Sequence, residues 1–362
     1  MALGCATEPP ALECHFGQEH AIAAATLRFH GLQFAGSTLV YSSPEGLFVR
    51  PLPGDGSPRE PARRVDAACD GGFHAEAEGE RLVVGCLRRS TAKSEGSALL
   101  LEFRDGALRE RVVLGPAGRD ARGIDLAREA DGWAAVWHDG VPGAWGVWFA
   151  RFTDELELRS GPRLLSAPRV AAGRPSLHRG RNNGLWVTWA ETWIDAGFPH
   201  GQIVVWPGRG VPRPVAEVDV LDPSPVLHHD ERSAVLFFRD LRPPNRRTGL
   251  FAQRLDERWR SVGEPVRVGR SDGAEPFDVL RCSGALATVT PRSWDGDLLI
   301  GVNLLDSQLR KRVPEQQVYQ WAARFATAAA RCTGDTLLLI VGEQSRAPDT
   351  AVAAHALTLR CR

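Results

Sequence analysis

Lysine is almost missing from this chain: Lys93 and Lys311 are the only two in 362 residues, so the 44 basic side chains are nearly all arginine. They are balanced by 44 acidic ones, and a net charge of zero supplies no global field toward nucleic acid or an anionic membrane. No apolar run reaches the ~18–20 residues that a membrane-spanning helix needs. There is no Cys-x-x-Cys pair and no Cys/His cluster at zinc spacing, so no metal site and no cofactor is expected. No glycine-rich phosphate loop runs from a strand into a helix, and no Gly-x-Ser-x-Gly elbow is present. Tyrosine occurs twice, at Tyr41 and Tyr319.

What the chain has is a repeat. Seven apolar runs end at Tyr41, Cys86, Trp137, Trp189, Phe238, Val289 and Val341, with successive gaps of 45, 51, 52, 49, 51 and 52 residues. Each unit follows one plan. A short strand such as Pro175 to His178 precedes a polar turn such as Arg181-Asn182-Asn183-Gly184, whose Asn-Gly suits a primed hairpin. The apolar strand follows, then a variable loop, a third strand (Gly201 to Trp206, or Gly249 to Leu255) and a more polar fourth (Glu264 to Val268). Four strands per ~50 residues without helical periodicity is the blade of a propeller. A helical solenoid would show i, i+3, i+4 patterning, and a parallel β-helix repeats in about half this length. The expected fold is all-β: a seven-bladed β-propeller of four-stranded antiparallel blades, spanning 15–362 behind an N-terminal tether, 1–14.

The last unit stops at Cys361-Arg362 after its third strand, and the segment around Glu19 to Ala25 is surplus. The N-terminal segment is therefore expected to complete the last blade and close the ring, leaving no exposed edge. This places Cys14 beside Cys361 as a latch disulfide, worth roughly 5 kcal/mol in the loop-entropy model. Cys69 and Cys86 flank a hairpin turning near Glu78-Gly79 and are expected to face each other across it. Cys282 and Cys332 hold matching positions in adjacent units and are expected to bridge neighbouring blades. Six paired cysteines suit an oxidising compartment.

Three segments, Trp137-His138-Asp139, Trp189-Ala190-Glu191 and Phe238-Arg239-Asp240, end the apolar strand with an aromatic residue and place an acid two positions on. In this the chain resembles bacterial secreted propellers of the sialidase-like or repeat-lipoprotein type. The tryptophan-aspartate and kelch signatures are absent, and Ser293-Trp294-Asp295-Gly296-Asp297 only approximates the sialidase Asp-box. Sialidases have six blades and need an arginine triad with a Tyr/Glu pair, whereas Tyr41 occupies an apolar anchor here; no catalytic residue is carried over. Ala2-Leu3-Gly4-Cys5 resembles the end of a lipoprotein signal, which implies a lipid on Cys5 and an exported protein in the outer membrane, periplasm or cell surface; the competing reading is an incidental cysteine in a tail.

Propellers bind at the mouth where loops enter first strands and join second to third strands, an expectation drawn from fold alone. First-strand positions that break the apolar pattern are His30, His74, Asp125, His178, His228 and Asp278. Around one axis they can bind a cation or act as acid and base; the simpler role is hydrogen bonding between blades or lining a wet channel. The expected loop from Ala190 to His200 joins Trp193 and Phe198 to Glu191 and Asp195, a combination suited to sugar stacking. Arg239, Arg242, Arg246 and Arg247 form a second cluster, and Arg88, Arg89 and Lys93 follow Cys86. Arginine clusters suit carboxylate or phosphate groups. The reading is a monomeric, non-enzymatic exported propeller that binds a protein or glycan at one face, touching a membrane only through Cys5. The alternative is a glycan-active hydrolase or lyase using carboxylates and arginines at the pore mouth.

Overall fold

The computed structural model describes residues 14–17, 19–25, 29, 31–66, 69, 71–88, 96–115, 120–141, 144–167, 171–180, 184–220, 222–229, 234–242, 247–271, 277–282, 284–294, 297–321, 323–345 and 352–361. The chain opens with β1 (Cys14–Phe16) and β2 (His20–Ala25). Blade 1 follows as β3 (Gly31–Ala35), β4 (Thr38–Ser43), β5 (Gly46–Pro51) and β6 (Arg63–Asp66). Blade 2 is β7 (Phe73–Glu78), β8 (Arg81–Arg88), β9 (Ser97–Arg104) and β10 (Ala107–Leu114). Blade 3 is β11 (Asp120–Glu129), β12 (Gly132–Val141), β13 (Ala144–Phe152) and β14 (Leu158–Leu164). Blade 4 is β15 (Ala171–Arg179), β16 (Leu185–Asp195), β17 (Phe198–Trp206) and β18 (Arg213–Val218). Blade 5 is β19 (Val226–His229), β20 (Ala234–Arg242), β21 (Arg247–Leu255) and β22 (Ser261–Arg270). Blade 6 is β23 (Asp278–Cys282), β24 (Ala285–Trp294), β25 (Asp297–Leu305) and β26 (Gln316–Trp321). Blade 7 takes β27 (Ala323–Thr333), β28 (Thr336–Ser345) and β29 (Val352–Cys361) from the C-terminus, and β1 and β2 from the N-terminus. The expected all-β propeller of seven antiparallel four-stranded blades is the fold found.

There is no single core. Apolar side chains gather into seven clusters, and each cluster fills one seam between neighbouring blades. Strand alternation produces this directly, because successive residues point to opposite sheet faces. In β20, Val235 and Phe237 pack toward blade 6, whereas Ala234, Leu236 and Phe238 pack toward blade 4. Each inner strand is thus buried on both faces, which is why the repeat reads as continuous apolar runs. Tyr41 belongs to such a seam: it stacks on Phe48 at 5.0 Å and meets Phe29 edge-on at 5.5 Å. Burial pushes its phenol up to about 12.

The ring closes as expected. β2 lies against β29 with His20 opposite Ala356, and β1 continues along the same strand with Cys14 opposite Cys361. Cys14 is a disulfide cysteine. Cys282–Cys332 bridges blades 6 and 7 with Cα atoms 5.4 Å apart. Cys69–Cys86 also forms, at 5.7 Å, by a different route from the one expected. The β7–β8 register sets Phe73 opposite Cys86, so Cys69 lies in the inter-blade linker and the bond ties that linker to β8. A second correction concerns Ala190 to His200, which is not a loop. β16 and β17 pair continuously out to Asp195 opposite Phe198, because Ala196 and Gly197 take φ values of 47° and 84° and make a two-residue turn.

Cys5, His30, Arg89, Lys93, the turn 181–183, Asp295, Gly296 and Arg246 lie outside the described residues, as do the side chains of Ser293, Trp294, Arg247, Asp297, Tyr319 and Cys361.

Candidate binding face

The inter-blade linkers and the second-to-third-strand turns share one end of the ring, here the entry face. The aromatic-x-acid segments are built into it. Trp189 Nε1 donates to Glu191 Oε1 at 3.1 Å, the linker amide of Ala167 donates to the same oxygen at 3.3 Å, and Gln202 Nε2 donates to Oε2 at 2.9 Å. Trp137 Nε1 donates to Asp139 Oδ2 at 2.9 Å, with linker residue Gly115 packed so tightly against that oxygen that a Cβ there would lie 2.6 Å from it. Asp240 accepts from the linker amide of Asp219 at 2.8 Å and from Arg242 Nε at 2.5 Å. In blades 4 and 5 a buried carboxylate holds the linker entering its own blade through a backbone amide, and in blade 3 the linker glycine packs against the carboxylate. Linkers have backbone donors with no strand partner, and a carboxylate satisfies them at short range.

The first-strand polar residues converge on the channel and strap one blade to the next. Gln33 pairs with the backbone of Ala75, accepting its N–H at 2.8 Å. Asp125 Oδ2 accepts from Leu177 N at 2.7 Å and from Ser176 Oγ at 3.2 Å. His178 Nε2 accepts from Leu227 N at 3.2 Å, and Asp278 Oδ2 from Ala330 N at 3.1 Å. His74 Nδ1 meets Asp125 Oδ1 at 2.6 Å. Each first strand is the inner edge of its sheet, so these side chains satisfy amides that no further strand reaches.

The channel charges are shaped by burial and by each other. Burial opposes a charge on His74, but Asp125 and Glu76 outweigh it and push the imidazole up to about 10. Burial likewise opposes the Asp125 carboxylate, yet His74 and the Leu177 amide hold it below its ordinary range. Burial pushes His178 down to about 4, keeping Nε2 free of a proton to accept from Leu227; Asp125 opposes that shift, and His228 and His74 add to it. Burial pushes Asp278 up to about 6. Among the described residues no group of three or more His, Cys, Asp or Glu side chains has a metal-holding arrangement.

Of the residues singled out in the sequence, His74, Asp125, His178, His228 and Asp278 are therefore brought together in the channel. Glu191 and Arg239 are buried in the scaffold; Arg239 Nε donates to Ser271 Oγ at 2.7 Å, and its guanidinium lies 5.5 Å from the Phe277 ring. Trp193 and Asp195 stand in the open on the blade 4 hairpin. Trp193 is 44% exposed, Phe198 61% and Ile194 67%. Register pairs Trp193 with His200 and Asp195 with Phe198, so these four share one face of the hairpin. His200 Nδ1 lies 3.2 Å from Asp219 Oδ1, just past β18 of the same sheet, and alternation puts the four on the side of Trp189 and Val204, which faces blade 3. Blade 3 adds a group that sequence reasoning missed: Arg122 lies 4.4 Å above Trp145, with His138 at 5.1 Å from the same ring. A strand-start arginine and a strand-start tryptophan 23 positions on carry no local signal of contact; only the register joins them.

No protein-family profile and no curated protein matches the chain. Solved structures similar in fold include a sialidase of Trypanosoma rangeli, at 9% identity and a TM-score of 0.52. That alignment covers 91% of this chain and 59% of the sialidase. A subtype N10 neuraminidase-like protein of A/little yellow-shouldered bat/Guatemala aligns over 96% of this chain and 100% of its own, at 8% identity and a TM-score of 0.47. An endo-arabinase from Bacteroides thetaiotaomicron aligns over 68% of this chain and 93% of its own, at 10% identity and a TM-score of 0.39. At these identities the likeness is one of fold.

Proposed function

We propose that the protein is a non-enzymatic, exported propeller that binds a glycan on its entry face, with Trp193 and Phe198 as the stacking platform. The observation that carries this is the exposure of two aromatic rings on one face of a paired, tightly turned hairpin, flanked by Asp195 and His200. Sugar rings present C–H faces to aromatic planes and hydroxyls to carboxylate and imidazole, so this face supplies both kinds of contact. A fixed hairpin also limits the ordering cost of binding. Glycan-directed names among proteins of similar fold are compatible with this reading.

Binding without turnover is favoured because the buried carboxylates of the entry face and channel are occupied. Glu191 and Asp240 each serve three protein donors, and Asp125 is paired with His74. Export fits the disulfides Cys69–Cys86 and Cys282–Cys332, which persist in oxidising compartments. In this reading Cys5 bears the lipid anchor; intact-mass measurement of the protein isolated from its native cells would reveal the added diacylglycerol.

Glycan-array screening followed by calorimetry tests the function. Trp193→Ala and Phe198→Ala are each expected to weaken the selected saccharide at least tenfold without unfolding the protein. Turnover of chromogenic glycosides that disappears in Asp278→Asn would replace the binding reading with the catalytic one.

A further inference from the structure

The entry face has a second concavity at the seam of blades 2 and 3, away from the Trp193 hairpin. It measures about 390 Å³ and is bounded by Gly71, Gly72, Arg88, Asp120 and Arg122, among others. Its floor is backbone: Gly71 donates to Leu87 O at 2.9 Å, and a Cβ on Gly71 would lie 2.8 Å from that oxygen. No side chain fits at Gly71, which brings the linker backbone directly onto β8.

Two arginines overlook it from different blades. Arg122 is the extra residue of a β-bulge, with Ala121 opposite Asp139, Gly123 opposite His138, and no partner of its own. The bulge re-aims its side chain onto the face. Trp145 supports the guanidinium at 4.4 Å and Asp120 Oδ2 takes its Nε at 3.2 Å, leaving both Nη groups without a described protein partner. Burial, and then the charge of Arg122, push the underlying His138 down to about 4, so the layer beneath Arg122 is neutral near pH 7. Arg88 ends β8 opposite Ser97 with its side chain exposed, and no hydrogen bond or ion pair joins its guanidinium to another described residue. Two arginines against one aspartate leave the lining with a net positive charge.

We infer that this concavity binds the sulfate ester of a sulfated saccharide, with Arg88 and Arg122 gripping the oxyanion and the sugar ring lying over the glycine floor. The inference rests on the glycan reading above and adds the chemical class of the ligand. A flat carboxylate is served by one coplanar guanidinium fork, whereas a tetrahedral group with three terminal oxygens accepts donors arriving in different planes. Arg88 and Arg122 come from separate strands of separate blades and meet the second case. The volume equals roughly a dozen waters at ~30 Å³ each, room for an ion together with a ring. Stacking on Trp145 and the Asp120 contact fix the guanidinium before a ligand arrives, so little rotamer freedom is lost on binding.

The test is calorimetric titration of the full chain with galactose 6-sulfate, galactose, galacturonate and inorganic sulfate. Galactose 6-sulfate is expected to bind at least tenfold more tightly than galactose or galacturonate, with an affinity that falls as salt rises. Arg122→Gln and Arg88→Gln should each erase most of that preference. Equal affinity for sulfated and unsulfated sugar, a stronger response to galacturonate, or a preference untouched by Arg122→Gln overturns the inference and leaves the Trp193 platform standing. Inorganic sulfate that binds in the parent and not in Arg122→Gln, with no sugar bound at all, keeps the anion site and removes the glycan reading.

Discussion

The inner and outer halves of β16 carry the same residue types and do opposite work. Trp189 and Glu191 sit in the seam at 0% and 4% exposure, and the indole, the carboxylate and the linker amide of Ala167 form one closed hydrogen-bonded unit. Four residues further on, Trp193 and Asp195 repeat the aromatic-x-acid order beyond the ring, where neither is enclosed. Depth in the blade, set by how far the hairpin overshoots its neighbours, decides whether such a pair is a clip or a contact surface.

Substitutions can break this contrast in a ranked series, followed by thermal or urea unfolding. Trp189→Ala should be the most damaging, costing about 3–5 kcal/mol, because it empties a seam and deprives Glu191 of a donor. Glu191→Gln should cost about 1–3 kcal/mol, since an amide group then faces either Gln202 Nε2 or the Trp189 and Ala167 donors. Trp193→Ala should change stability by no more than about 0.5 kcal/mol while abolishing saccharide stacking. A stability loss at Trp193 matching that at Trp189 would erase the distinction between the two halves.

The channel supplies an effect between the last two, readable through pH. Asp278 is raised to about 6 by burial, above its ordinary 3.8, so the native state binds the proton more readily than the unfolded chain. The resulting stabilisation is complete below pH 3.8 and is lost as pH rises through 6. Asp278→Asn keeps an acceptor for the Ala330 amide and removes the buried charge. It should gain on the order of 1 kcal/mol over the parent at pH 8, shrinking toward zero near pH 4. An equal gain at both pH values would show that the carboxyl does not titrate there.

Blade number, closure and strand order were legible because each is written into a spacing. The runs ending from Tyr41 to Val341 recur once per blade, and the strand missing after Cys361 matched the surplus around Glu19 to Ala25. Roles were less legible. Trp189-Ala190-Glu191 and Trp193-Ile194-Asp195 follow one another with the same residue types, and nothing local reports that β16 continues to Asp195. The loop expected there is a hairpin because Ala196 accepts a positive φ, a conformation that its residue type does not announce. Cys69–Cys86 was paired correctly for the wrong geometric reason, since a linker cysteine and a cross-strand cysteine look alike at that separation. Arg122 with Trp145 was invisible, because a bulge in β11 and a register between blade strands bring them together.

Completion of blade 7 by β1 and β2 has a bearing on how the molecule is made. β1 and β2 are made before the strands of blades 1 to 6, yet their partner β29 is made after all of them. Blades 1 to 6 draw their strands from consecutive sequence and can assemble in order as the chain emerges. The ring cannot shut until β29 has been made, and until then blade 7 has an open strand edge and blade 1 lacks its full neighbour. Truncating β29 should leave a chain that collapses without closing, detectable as protease sensitivity that begins at the blade 7 and blade 1 seam.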